Sequence, residues 1–229
     1  MNMYLLSVFI FFIGSVIGWF IELIYRRLYH GKLVNPGFLV GPYLPIYGFG
    51  LLSLTILHIL LTKLSLNPIV IILLMGLIMT VIELIGGLFA LKQKVRLWDY
   101  SKEWLNYKGI ICPLYSAIWL LVGAIYYFFL YDPLMYAINW FNENISFSYI
   151  LGIFTGFILI DFVYSTKLYI KIRKFAKEND VTVMYEKLKL HIKDVQRNAQ
   201  EKYSFILPFK QSKKLVDYLS SYKDKLKDK

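Results

Sequence analysis

Five apolar runs, each long enough to cross a bilayer as a helix, constrain this chain more than any other feature of its sequence. They cover residues 3–25, 43–62, 68–91, 110–131 and 147–168. A membrane-spanning helix needs roughly 20 apolar residues, whereas the strands of a membrane barrel are about ten residues long with strict alternation of polar and apolar side chains. No such alternation occurs in the runs. The sequence therefore predicts an all-α, polytopic membrane helix bundle with five transmembrane helices.

The composition of the chain also indicates a membrane protein. Of the 229 residues, 58% are hydrophobic and 18% are charged, which is more apolar than a soluble globular domain. The loops after the first and third runs contain three and five Lys and Arg, whereas those after the second and fourth contain one and none. Since basic loops stay in the cytoplasm, we expect a multi-pass membrane protein with its amino terminus outside and its carboxyl terminus inside.

The carboxyl-terminal part differs in charge from the rest. Residues 167–229 carry 17 Lys and Arg against 8 Asp and Glu, an excess of nine in a chain whose net charge is +11. We therefore divide the chain into a transmembrane domain, 1–170, and a basic cytoplasmic helical tail, 171–229. Anionic lipids of the inner leaflet attract such a tail by about 1 kcal/mol per basic residue near the surface. Nucleic acid is not indicated, because no stacking aromatics interleave the charges.

Two apolar stripes in the tail have helical spacing. Their members are Val181, Tyr185, Leu188, Ile192, Val195 and Ala199 in the first, and Leu215, Tyr218, Tyr222 and Leu226 in the second. They predict amphipathic helices that lie on the membrane surface or pack on the protein's own spans. Docking of a partner protein is the alternative.

Three acidic residues fall inside the apolar runs: Glu22, Glu83 and Asp161. A carboxylate at bilayer depth is costly unless it is paired or faces water, which makes such residues candidates for function. The alternative is that each lies near the interface and pairs with a basic side chain such as Arg26. Small residues share a helix face with both glutamates, and we expect these two faces to meet, because glycine permits close helix approach.

The chain contains an internal similarity. "FIELIY" (20–25) and "VIELIG" (81–86) are each followed by a cytoplasmic loop with glycine and proline, "NPGFLVGP" (35–42) and "NYKGIICP" (106–113). The alignment predicts a duplicated two-helix unit in parallel orientation. Both loops either dip into the bundle as non-helical segments or form tight turns before a helix.

Glycine and proline have distinct roles in these loops. Proline suits the first turn of a helix, where its missing N–H is harmless, and glycine lets backbone approach backbone or ligand. The residues to which we assign this structural role are Gly37, Gly41, Pro42, Pro45, Gly48, Gly109 and Pro113.

We expect Glu22 and Glu83 to line one cytoplasm-facing polar pocket. Repulsion between the two acids would be relieved by Arg26, Arg96, a cation or a proton. Residues 96–109 are expected to form a short interfacial helix that brings further polar groups to this pocket. The complete set of substrate-binding candidates is Glu22, Glu83, Asp99, Asp161, Arg26, Arg96, Tyr100, Asn35 and Asn106.

No metal or cofactor is indicated. Cys112 is the single cysteine, so an internal disulfide and a cysteine-based metal site are excluded. The histidines His30, His58 and His191 fall in three separate segments.

Five stretches together resemble the CmpB-type family of ABC-transporter permeases, which are small multi-spanning membrane proteins of bacteria. They are "GWFIELIY", "NPGFLVGPYLPIYGFG", "IELIGG", "WDYS" and "NYKGIICPLYSAIW", within residues 14–120. The resemblance implies a multi-pass protein of the bacterial cytoplasmic (inner) membrane with a role in transport, and it does not cover the tail after residue 170.

Three functions stay open at this point. The first is a permease, which needs an ATPase on another chain because this sequence has no G-x-x-x-x-G-K-[ST] phosphate loop. Five spans make only a small pore, so a permease of this size is expected to form a homodimer or a hetero-complex. An enzyme acting on a lipid or lipid-linked substrate is the second reading, although no Ser/His/Asp or Cys/His constellation supports it. A non-transporting accessory or sensor subunit is the third.

Overall fold

The computed structural model of the protein describes residues 3–31, 34–198 and 215–227. Its α-helices are α1 (Met3–His30), α2 (Pro45–Lys63), α3 (Pro68–Lys92), α4 (Pro113–Ile125), α5 (Tyr131–Glu143), α6 (Ser148–Glu178), α7 (Tyr185–Asn198) and α8 (Leu215–Lys227). A π-helical turn, Tyr126–Leu130, joins α4 to α5, and a 3₁₀ turn, Ile145–Phe147, precedes α6. Two short parallel strands, β1 (Val95–Arg96) and β2 (Val183–Met184), pair with Val95 opposite Val183.

Among the described residues, five helical segments have the length and apolar composition to cross a membrane. They are Met3–Leu28, Pro45–Lys63, Pro68–Lys92, Pro113–Glu143 and Ile145–Glu178. Each overlaps one predicted run, which confirms the all-α membrane helix bundle. The predicted domain boundary at residue 170 falls inside α6, so the helix of the last span continues into the basic region.

Proline begins three of these helices, at Pro45, Pro68 and Pro113, and the first and last of these starts were predicted. Pro45 and Pro113 each occupy the first turn, preceded by the extended residues Leu44 and Cys112. Neither preceding residue caps the helix through its side chain. Proline compensates in part, because it has no N–H that would need a partner at this position. Pro42 lies before α2, in a bend.

The chain forms two compact units, which are described separately. The first unit contains Met1–Trp19, Tyr43–Gly86 and Asp99–Ile158. Its core is apolar and combines residues of α1 to α6, with Ile71, Met75 and Phe141 among the most deeply buried. Burial of this kind stabilises helix packing through close contacts rather than through removal from water, since lipid tails are as apolar as the core.

The second unit contains Phe20–Pro42, Gly87–Trp98 and Leu159–Lys229. Its core holds most of both predicted stripes of the tail, with Tyr185, Leu188 and Ile192 on α7. Tyr218 and Tyr222 on α8 belong to the same core, together with Ile172 and Ala176 at the end of α6. Most of both stripes is therefore buried within the protein itself. This agrees with the predicted alternative in which the tail helices pack on the protein's own spans. Ala199 lies outside the described residues.

The glycine faces of α1 and α3 do not pack as expected. In the first unit, a Cβ on Gly14 would lie 2.8 Å from the Leu51 Cβ and the Tyr47 carbonyl oxygen of α2. The glycine of α3, Gly76, contacts Leu120 of α4 instead. Each face therefore packs against the helix that follows it in the chain. The expectation that the two faces meet each other is wrong, because a glycine face allows a close neighbour without specifying which helix it is.

Candidate functional site

Glu83 is the buried acid of the first unit. It lies in α3, a membrane-spanning helix, with 5% of its surface exposed. The Tyr100 hydroxyl donates to its Oε1 at 2.9 Å, and the Trp119 indole N–H donates to its Oε2 at 2.9 Å. Among the described residues, the ion pairs do not include Glu83. Its carboxyl group is thus held by two neutral donors.

Aromatic rings surround these two donors. The Tyr100 ring stacks on Tyr115 with 3.9 Å between centroids, and the Trp119 ring lies 6.2 Å from that of Tyr47. The side chains come from α2, α3, α4 and the loop before α4, so the packing of three helices fixes the two donors. This arrangement places one carboxyl group in an aromatic setting that can bind a proton or a cation.

The loop that carries Tyr100 is not the expected interfacial helix. Residues 99–109 form successive turns, and Leu105, Lys108 and Gly109 have positive φ angles of 48°, 55° and 67°. Three residues in left-handed backbone are incompatible with a helix. The Tyr100 amide donates to the Gly109 carbonyl at 2.8 Å, which closes the loop. The prediction of a helix here is wrong.

Asn106 organises this loop. Its amide group donates to the Ser101 and Glu103 carbonyls, and its side-chain oxygen accepts the Gly109 N–H at 2.9 Å. Asp99 is exposed and accepts the Ser101 amide at 3.1 Å. Both side chains therefore shape the loop that positions Tyr100, and the ligand contact predicted for them stays a prediction.

Arg26 is the centre of a charged cluster in the second unit. Its guanidinium group lies 3.0 Å from Glu22 Oε1, one turn away on α1, and 2.5 Å from Glu186 Oε2 on α7. The predicted pairing of Glu22 with Arg26 is therefore present. Arg96 lies in β1, opposite Met184 of β2.

Asp161 binds the backbone of the segment 35–41. Its carboxylate accepts the Val40 N–H at 3.0 Å and the Gly41 N–H at 2.7 Å, and the Ser165 hydroxyl donates to the same group at 2.8 Å. Asn35 closes the segment, because its amide donates to the Val40 carbonyl at 2.5 Å. Asp161 is thus an anchor for a non-helical segment that needs acceptors for its N–H groups.

Lys189 of α7 binds the same segment, and sequence analysis did not select it. Its ammonium group donates to the carbonyls of Asn35 and Gly37, each at 3.0 Å, and lies 4.8 Å from the Tyr185 ring centroid. Gly37 has a φ of 78°, which explains the glycine at this position. Lys189 follows Tyr185 by four residues and therefore lies on the apolar face of α7. A lysine on an apolar helix face was the sequence signal that could have identified it. Trp119 was also missed, since tryptophan in a span has no specific spacing signal.

Glu22 and Glu83 belong to different units, and their predicted common pocket stays a prediction. The candidates that share the first unit are Glu83, Asp99, Tyr100, Asn106, Pro45, Gly48, Gly109 and Pro113. Those in the second unit are Glu22, Arg26, Asn35, Gly37, Gly41, Pro42, Arg96 and Asp161.

Comparison with known proteins decides the family. A family model described as "Putative ABC-transporter type IV" matches residues 9–166, more than half of the chain. The chain belongs to this family. It is thus a membrane protein of an ABC-transporter family, and all of the predicted site residues lie within the matched region, whereas α7 and α8 lie beyond it. No match was found among the curated proteins or among the solved structures.

Proposed function

We propose that the protein is the membrane-spanning permease subunit of an ABC-type transporter in the bacterial cytoplasmic membrane. The family match over residues 9–166 and the five apolar helices support this assignment. A separate chain supplies ATP hydrolysis, because the sequence contains no phosphate-binding loop of the G-x-x-x-x-G-K-[ST] type. The subunit functions as a homodimer or as part of a hetero-complex, and anionic lipids of the inner leaflet surround its basic tail.

The buried carboxyl group of Glu83 is the observation that favours a transport site. Ionisable residues within spans are expensive, and they commonly mark substrate or ion pathways. Glu83 is paired with two neutral donors, Tyr100 and Trp119, rather than with a basic side chain among the described residues. We assign Glu83 as the group of the first unit that contacts the transported substrate or a coupled cation. Tyr100 and Trp119 hold it in position.

The test of the subunit assignment is purification of the tagged full chain from membranes of its own host in a mild detergent. We expect a chain with the G-x-x-x-x-G-K-[ST] sequence to co-purify in stoichiometric amount and the eluate to hydrolyse ATP. Replacement of the phosphate-loop lysine of that chain should abolish the hydrolysis. Purification without a nucleotide-binding chain, under conditions in which another ABC permease of the same host keeps its ATPase, would contradict the proposal. Co-purification with enzymes of lipid synthesis instead would favour the enzyme alternative.

The test of the site uses the same complex. Glu83→Gln should reduce ATP turnover without loss of the ATPase chain, because the substitution keeps the side-chain size and removes the acid. Glu143→Gln is the matched control, since Glu143 is an exposed glutamate at the end of α5. Unchanged turnover in a fully assembled Glu83→Gln complex would refute a role for Glu83 in transport.

A further inference from the structure

Side chains of the second unit hold the segment 35–41 by binding both its N–H groups and its carbonyl groups. Asn35 and Leu39 of this segment are almost completely buried, although the segment has no helix to pair its polar backbone atoms. Asp161 accepts two N–H groups near the end of the segment, and Lys189 donates to two carbonyl groups near its start. Both contacts replace hydrogen bonds that water would otherwise make.

Lys189 has an unusual setting for a lysine. It is 3% exposed, whereas lysines are almost never fully buried without a paired acid. The charged groups that face it are Arg26 from α1, Asp161 from α6 and Glu186 from α7. Burial, and then repulsion by Arg26, lowers the pKa of Lys189 to about 7, against the opposing effect of Glu186 and Asp161.

A small cavity adjoins the lysine. Its volume is about 20 Å³, and it is lined by Arg26, Tyr185 and Glu186 as well as by Lys189 and the segment itself. A polar cavity of this size holds about one water molecule. The lysine therefore adjoins a space large enough for one water molecule, through which its amine can exchange a proton with solvent.

We propose that Lys189 is a proton-controlled positioning residue that latches the segment 35–41. Protonation of its amine favours release of the segment, and loss of the proton favours the latched state. The latch joins the tail to the family region, because Lys189 lies outside the matched residues 9–166 while the segment and Asp161 lie inside them. The proposal does not depend on the transport function.

The direction follows from the two states of the lysine. In the latched state the pKa of Lys189 is about 7, whereas a released lysine in water has its ordinary pKa of 10.5. Between these values the released state binds one more proton than the latched state. The latched fraction therefore gains up to about tenfold over the released fraction for each unit of rising pH. Below pH 7 both states are protonated, and their ratio is constant.

The experiment measures amide hydrogen exchange of the full chain in lipid nanodiscs from pH 7 to pH 9. Mass spectrometry follows the peptide that contains the Val40 and Gly41 amides, and each rate is corrected for the intrinsic pH dependence of exchange. We expect the protection of this peptide to rise up to about 100-fold over the two units, in line with one proton. The other shifted groups of the tail titrate outside this window, because burial lowers the pKa of His191 from 6.5 and raises that of Tyr185.

Three variants separate the latch from a structural role. Lys189→Met should abolish the pH dependence, because it removes the titrating group, and Lys187→Met, on the exposed side of the same helix, should keep it. Asp161→Asn should lower protection at every pH and leave the slope unchanged. Constant protection of the wild-type peptide between pH 7 and pH 9 would overturn the proposal without any variant, and so would a wild-type slope in Lys189→Met.

Discussion

Replacement of Tyr100 by Phe isolates one hydrogen bond of the Glu83 site. The Tyr100 hydroxyl donates to Glu83 Oε1 at 2.9 Å, and the ring stacks on Tyr115. Phenylalanine keeps the ring and therefore the stacking, so the substitution removes only the donor. The remaining donor to Glu83 is the indole N–H of Trp119.

The magnitude depends on the charge of the acid. A hydrogen bond to an ionised group contributes about 1.5–3 kcal/mol, and one between neutral groups about 0.5–1.5 kcal/mol. Glu83 is buried, so water does not replace the lost donor readily. We expect Tyr100→Phe to lower the free energy of unfolding by about 1.5–3 kcal/mol if Glu83 is ionised.

The assay is unfolding of the purified chain in mixed micelles of a non-ionic detergent and dodecyl sulfate. Tyr136→Phe removes a hydroxyl from an exposed tyrosine and should change the free energy of unfolding by less than about 0.5 kcal/mol. In a Glu83→Gln background, the side-chain amide offers one acceptor to two donors. Tyr100→Phe should therefore cost less by about 1 kcal/mol in that background.

Two results would refute the reasoning. The first is a cost for Tyr100→Phe that equals the cost for Tyr136→Phe. The second is the absence of coupling between Tyr100→Phe and Glu83→Gln. Either result would mean that the hydroxyl and the carboxyl group do not depend on each other, and Glu83 would lose its positioning partner.

Three further predictions concern packing and topology. Gly48→Ala should lower the free energy of unfolding by about 1–3 kcal/mol, because the new Cβ would lie 2.5 Å from the Phe11 carbonyl oxygen. Gly152→Ala is the control and should not destabilise the protein, because a Cβ there has no atom within 4 Å. Leu219→Ala should destabilise the tail by about 2–5 kcal/mol, and Val216→Ala on the exposed side of α8 by less than about 0.5 kcal/mol, as measured by protease resistance. In a Cys112→Ala background, a cysteine at Asn142 should react with an impermeant thiol reagent in intact cells, and one at Asp224 only after permeabilisation. Labelling of the Asp224 cysteine in intact cells would reverse the predicted orientation.

Most of the secondary structure in the spans could be predicted from the sequence. The five runs, the proline starts at Pro45 and Pro113, and the amphipathic stripes of the tail depend on local composition and spacing. Lipid reinforces these local signals, because a backbone in the bilayer must satisfy its own hydrogen bonds and does so as a helix. The turns of residues 99–109 were not predicted. Their three positive φ angles are stabilised by hydrogen bonds of the Asn106 side chain and between the Tyr100 and Gly109 backbones, and a sequence pattern does not show such contacts.

The sequence by itself determined that the chain spans a membrane as helices and that acidic residues lie within the spans. It also determined that a proline starts the helix after two of the loops. Tertiary structure decided what those acids bind. Asp161 reaches the Val40 and Gly41 amides more than a hundred positions away, and Lys189 reaches the same segment from a helix beyond the family match. The physical reason is that spacing along one helix specifies which side chains share a face, whereas the helix opposite that face is chosen by packing of the whole chain.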